Sequence, residues 1–179
     1  MKKMLLMAAM CCLALVACKK ENTDPINPGN DTSDTTGTTQ VGLDYYVGTY
    51  DLLMVCDSIL TEGTWFSNEY YGQLTGEPEE DMYGTLSITM APDGNHVNVL
   101  ATLDFDGEMV DFYTSTGTIG EQGRLVLATG TLEAPSGVTL RTSFTLVLPE
   151  QPLVFKTTTH FDMSGYDFAY LYTNTATKR

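Results

Sequence analysis

Thr85-Leu86-Ser87-Ile88-Thr89-Met90-Ala91-Pro92-Asp93-Gly94-Asn95-His96-Val97-Asn98-Val99-Leu100-Ala101-Thr102-Leu103-Asp104 decides the fold. Leu86, Ile88 and Met90 alternate with Thr85, Ser87 and Thr89, a period of two that puts apolar side chains on one face of an extended strand. Pro92-Asp93-Gly94-Asn95 then supplies turn chemistry, and Val97, Val99, Ala101 and Leu103 resume the rhythm on the other side. The stretch predicts an antiparallel hairpin with one greasy face.

The same texture runs outward in both directions. In Val138 to Leu148, Val138, Leu140, Phe144, Leu146 and Leu148 share one face, while Thr139, Arg141, Ser143 and Thr145 share the other. Further strands are expected near 47–57, 64–71, 109–119, 123–131, 152–161 and 166–174. Turns fall at Phe105-Asp106-Gly107, Gly120 to Gly123, Pro135-Ser136-Gly137 and Ser164-Gly165. Thr-rich polar faces and β-branched content favour strands throughout. No sustained helical periodicity follows Val16, although Leu43 to Val47 can form one short turn. About eight to ten strands joined by short loops protect their edges best by closing, so an all-β, antiparallel up-and-down barrel is the first expectation and a two-sheet sandwich the second.

The chain has 179 residues, 42% of them apolar, which suits one globular domain. Lys+Arg number 9 against Asp+Glu 23, a net charge of −14. So acidic a surface repels phosphate backbones, and nucleic acid is excluded as an expected partner.

The first residues address the chain. Lys2 and Lys3 precede an apolar run from Met4 to Val16, shorter than the roughly 20 residues that a spanning helix needs, so it reads as the core of a cleaved signal peptide over residues 1–17. Leu15-Val16-Ala17-Cys18 is similar to a bacterial lipobox, in which small residues allow cleavage before a cysteine carrying diacylglycerol. Cys18 is therefore the expected lipid attachment site, with an amide-linked acyl chain such as palmitate completing a stable anchor. Lys19 and Lys20 follow where an Asp would hold such a protein back, which points to the outer membrane, on its periplasmic or surface face. Loss of Lys2 and Lys3 takes the charge from −14 to −16.

Residues 18–40 are the lipidated cysteine and a linker: between 19 and 40 Ile26 is the one aliphatic residue among Thr, Asp, Asn, Pro and Gly. As a random coil that linker averages about 25 Å end to end. Cys11 and Cys12 leave with the signal, so Cys56 has no disulfide partner. It stands in the apolar run Leu52-Leu53-Met54-Val55-Cys56 and reads as a buried thiol, not a nucleophile.

A lipobox, a Thr/Asp linker and then Tyr46-Val47-Gly48-Thr49-Tyr50 opening a run of up-and-down strands resembles the calycin-like (lipocalin-like) small lipoproteins of Bacteroidota. In lipocalins Gly-x-Trp on the first strand plugs the closed barrel end beneath a basic residue. Gly48-x-Tyr50 stands in that place here, with Arg141, Lys178 or Arg179 as the basic partner. Gly63-Thr64-Trp65 spells the motif but lies away from the first strand. The resemblance implies a calycin-like β-barrel domain over 41–179 and a cup for one small hydrophobic ligand or glycan.

No residue pattern names a reaction. Asp104-Phe105-Asp106-Gly107-Glu108 spaces three acids as a calcium loop does, but Asp-Gly is foremost a hairpin turn. Glu77-Pro78-Glu79-Glu80-Asp81 reads as a solvated loop. His96 and His160 lie in no metal spacing, and His160 should face solvent with Lys156 and Thr158 while Phe155 and Phe161 face inward. Tyr166, Phe168, Tyr170 and Tyr172 share one face of the last strand, as barrel core or as a stacking platform. No catalytic residue, metal or cofactor is expected. The expected roles are a membrane-anchored binding protein or, alternatively, a non-catalytic structural or protein-interaction module.

Overall fold

The structure, a computed structural model, describes residues 41–134, 137–163 and 166–179. Cys18, the expected signal peptide and linker, and the turn residues Pro135, Ser136, Ser164 and Gly165 lie outside the described residues. A single 3-10 turn, Leu43–Tyr45, leads into β1 (Gly48–Thr61), β2 (Thr64–Ser67) and α1 (Asn68–Thr75). There follow β3 (Met82–Met90), β4 (Val97–Phe105), β5 (Glu108–Ile119), β6 (Leu125–Leu127), β7 (Gly130–Glu133), β8 (Thr139–Phe144), β9 (Leu153–Met163) and β10 (Tyr166–Lys178).

The strands form one antiparallel sheet in the order β6-β5-β4-β3-β1-β10-β9-β8-β7, with β2 added to the far part of β1. It is strongly curled into a half-barrel. The hairpin of 85–104 forms as expected: Leu86 pairs with Ala101 and Ile88 with Val99, and Leu86, Ile88, Val97, Val99, Ala101 and Leu103 are all buried. Two bulges sharpen the curl, one in β1 between Cys56 and Ser58 and one where Ala101 and Thr102 of β4 oppose Tyr113 and Asp111 of β5. The second leaves Phe112 and Tyr113 both buried in the concave face.

The two outermost strands, β6 and β7, are consecutive in sequence, and the chain between them runs beside β5. The Ala128 N–H donates to the Thr116 carbonyl at 2.8 Å, and Leu125 and Val147 exchange both backbone hydrogen bonds at 2.9 and 3.0 Å. At Gly130 the backbones come so close that a Cβ would stand 1.7 Å from the Thr114 carbonyl oxygen. Glycine is required there by the approach alone. Gly130→Val is therefore expected to push β7 off β5 and to cost about 3 kcal/mol, read as a lowered urea midpoint with faster hydrogen exchange at Ala128.

Three expectations are corrected. The strand expected over 64–71 stops at Ser67, where the Ser67 hydroxyl accepts from the Tyr70 N–H at 3.2 Å and caps α1, which ends at Gly76 with φ 88. The single strand expected over 123–131 is a 3-10 turn, Glu121–Gly123, followed by the separate β6 and β7. The strand expected over 138–148 ends at Phe144: beyond it Val147 is buried, while Leu146 and Leu148 are exposed. Pairing of Val147 with Leu125 turns the other face of the chain inward there.

Candidate functional site

The curled sheet has two unlike ends. At one, the first strand and the last bring Tyr50 opposite Lys178. Tyr50 is fully buried and donates its hydroxyl to the Tyr46 carbonyl at 2.6 Å; Tyr46, equally buried, donates to the carbonyls of Gly123 at 2.8 Å and Val147 at 3.2 Å. The Lys178 ammonium lies 5.8 Å from the centre of the Tyr50 ring, a cation–π contact, and a Cβ at Gly48 would come within 2.8 Å of Lys178 Cε. Of the three basic residues left open by the sequence, Lys178 stands over Gly48-x-Tyr50. Arg179 instead pairs with Asp51, and Arg141 with Asp162. This end is plugged.

A polar strip crosses the interior between the ends. Asn174 Nδ2 donates to Thr157 Oγ1 at 3.0 Å and to the Phe155 carbonyl at 3.4 Å, and its Oδ1 accepts from the Tyr113 hydroxyl at 3.4 Å. Thr142 and Thr159 share a hydroxyl hydrogen bond at 3.0 Å. These groups were not singled out in the sequence. Among the described residues no buried side-chain polar atom lacks a partner, so the strip satisfies itself.

The opposite end is aromatic. Phe168 and Tyr172 are buried there, so the β10 rings face inward, and Tyr71, Phe161 and Tyr170 are half-buried around them. Tyr170 packs edge-to-face on Phe161 at 5.4 Å and on Phe168 at 4.9 Å, and stacks on Tyr172 at 5.5 Å. Above them lies the acidic loop that follows α1. The Asn68 side chain clamps its backbone, donating to the Glu79 carbonyl and accepting from the Glu79 N–H, both at 2.8 Å. The Glu79 carboxylate then accepts the Tyr170 hydroxyl at 2.9 Å. Solvation describes the loop as a whole, but Glu79 is a positioned acceptor in it. Burial, then the Glu79 charge, pushes the Tyr170 hydroxyl well above the ordinary tyrosine range.

The other sequence candidates are scattered. Cys56 is buried beneath this aromatic end, and burial, then Glu79 and Asp57, pushes its thiol up to about 12, so it is a protonated thiol at neutral pH. Asp106 and Gly107, at φ 56 and 88, make the two-residue turn between β4 and β5, and Asp104 accepts from the Gly107 N–H at 2.7 Å. His96 stands in the exposed β3–β4 turn 2.6 Å from Asp93, whose carboxyl is lowered by the Asn95 N–H and then by His96. His160 lies on the outer face of β9, 4.0 Å from Asp167. Among the described residues no three His, Cys, Asp or Glu side chains come together as a set that could hold a metal ion. No protein-family model matches the chain, and no curated protein matches it.

Proposed function

We propose that this chain is a lipid-anchored protein of the cell envelope, cleaved before Cys18 and held at the outer membrane, whose calycin-like barrel takes one small apolar molecule or saccharide at its aromatic end. The asymmetry of the ends carries this reading: Tyr46, Tyr50 and Lys178 plug one, while Tyr71, Phe161 and Tyr170 remain half-exposed at the other beside the fixed Glu79 acceptor. Lys178 over Gly48-x-Tyr50 supports the calycin-like assignment, and the contacts of β5 with the β6–β7 segment support a closed wall. A rim of rings with one carboxylate suits flat or sugar-like surfaces, which stack on aromatics and donate hydroxyls. The reading is a non-catalytic one, in keeping with a Cys56 thiol that burial holds protonated and with His96 and His160 paired to Asp93 in the β3–β4 turn and to Asp167 on the outer face.

Native mass spectrometry of protein purified from its own host tests this. A retained increment beyond the lipidated mass is expected, and it should disappear in Tyr170→Ala. A bare lipidated mass in repeated preparations would reject a ligand. The self-satisfied strip around Asn174 favours a second reading, a structural or protein-interaction module, because it leaves no polar atom aimed at an interior guest. Pull-down of one envelope protein by the bare chain would then favour that reading.

A further inference from the structure

Four aliphatic side chains stand in water at the plugged end, on the outer face. Val126 is 39% exposed, Leu146 46%, Leu148 40% and Val154 51%. They belong together because Leu125 and Val147 point inward from a shared antiparallel bridge, which sets Val126 and Leu146 opposite each other on the outside. Leu148 follows on the same side. The Thr145 N–H donates to the Lys156 carbonyl at 2.9 Å, which brings the neighbouring β9 residue Val154 alongside.

Two independent observations say what covers this patch. The first is where the upstream chain joins: a Cβ at Gly123 would lie 2.9 Å from the Val41 Cβ, so the segment leading back to Cys18 departs from the plugged end, three residues from Val126. The second is charge. Arg124, Lys178 and Arg179 stand at the plugged end with five acids, Asp44, Asp51, Asp93, Glu121 and Glu150; Lys156 lies midway, and Arg141 is the one described cation at the other end. That far end carries four acids between 77 and 81 and three between 104 and 108, with Glu133, Asp162 and Asp167 beside them. With ten acids against one cation, compared with five against three at the plugged end, it is the end that an anionic bilayer surface repels more strongly.

We infer that the plugged end docks on the lipid surface, with Val126, Leu146, Leu148 and Val154 in the headgroup region and the aromatic end turned away from the membrane. The inference deepens the anchored reading: the lipid at Cys18 tethers, and the patch fixes which way the domain stands. Aliphatic side chains gain by leaving water for the acyl boundary, and the covalent anchor holds them within reach of it.

The test uses the full lipidated chain in vesicles of phosphatidylethanolamine and phosphatidylglycerol, with a fluorophore on Glu150→Cys beside the patch or on Glu133→Cys at the far end. Cys56 stays unlabelled because its thiol is buried and protonated. Doxyl-labelled lipid should quench the label at 150 at least about twofold more than that at 133. Leu146→Glu with Leu148→Glu should abolish the difference while circular dichroism is unchanged. Equal quenching at both positions, in a chain that still floats with the vesicles, overturns the docking face and leaves the anchor standing. A chain that does not float refutes the anchor. The docking face is then judged on the Cys11→Ser, Cys12→Ser, Cys18→Ala chain at saturating lipid, where equal quenching at the two labels rejects it.

Discussion

Tyr50→Ala should destabilise the domain by about 3–5 kcal/mol, the cost of deleting a fully buried aromatic ring and leaving its cavity. The effect is large because Tyr50 is the hub of the plugged end. Its hydroxyl holds the Tyr46 carbonyl, Tyr46 in turn holds Gly123 and Val147, and Lys178 rests over its ring. Against a total stability of about 5–15 kcal/mol for a domain of this kind, the loss should lower Tm by roughly 10 °C. Tyr50→Phe keeps the ring and removes one hydrogen bond to a backbone carbonyl, so about 1 kcal/mol is expected. Urea unfolding of the two variants decides: costs equal within 1 kcal/mol would mean that the ring does not plug the sheet.

The residues of that plug show what a sequence can and cannot convey. Gly48-x-Tyr50 is local and can be read from five letters, whereas its basic partner depends on a register that joins Tyr50 to Lys178 across most of the domain. The hairpin of 85–104 was legible because both of its strands bury one face and the turn between them is short. Leu146 and Leu148 misled for the converse reason: alternation continues through them, but pairing of Val147 with Leu125, a distant contact, reverses which face is buried. The end signals of α1 are present in Ser67 and Gly76. Of its eight residues none is fully buried and Tyr71 alone packs on the core, so no apolar stripe announces a helix.

The aromatic site was half legible. The period-two row of rings in β10 marks an inward face, and Phe168 and Tyr172 occupy it. Glu79 could not be told from its acidic neighbours, because what distinguishes it is the Asn68 clamp and the reach of Tyr170 from another strand. Asn174, polar in a row of apolar inward positions, becomes intelligible only once Thr157 of β9 and Tyr113 of β5 are beside it.

Stability should fall steeply above pH 10. Burial pushes Tyr46 up to about 12 and raises Tyr50, Tyr71, Tyr113, Tyr170 and Tyr172 as well, while unfolded tyrosines ionise near 10. The Cys56 thiol, at about 12, is likewise raised above its unfolded value. Each of these acids is neutral when protonated, and the fold favours that form. Their contribution is thus fully present below the unfolded values and is lost as pH rises from there through the folded ones, because the unfolded chain then holds fewer protons than the folded chain. Each such group steepens the loss by up to about 1.4 kcal/mol per pH unit. Tyrosinate absorbance of the buried rings should therefore appear together with loss of the strand circular dichroism signal, at a pH between 10 and 12. Tyr113→Phe, which removes one fully buried hydroxyl, should make the decline shallower. Ionisation of all ten tyrosines near pH 10 with the strand signal intact would contradict the inward placement of these rings.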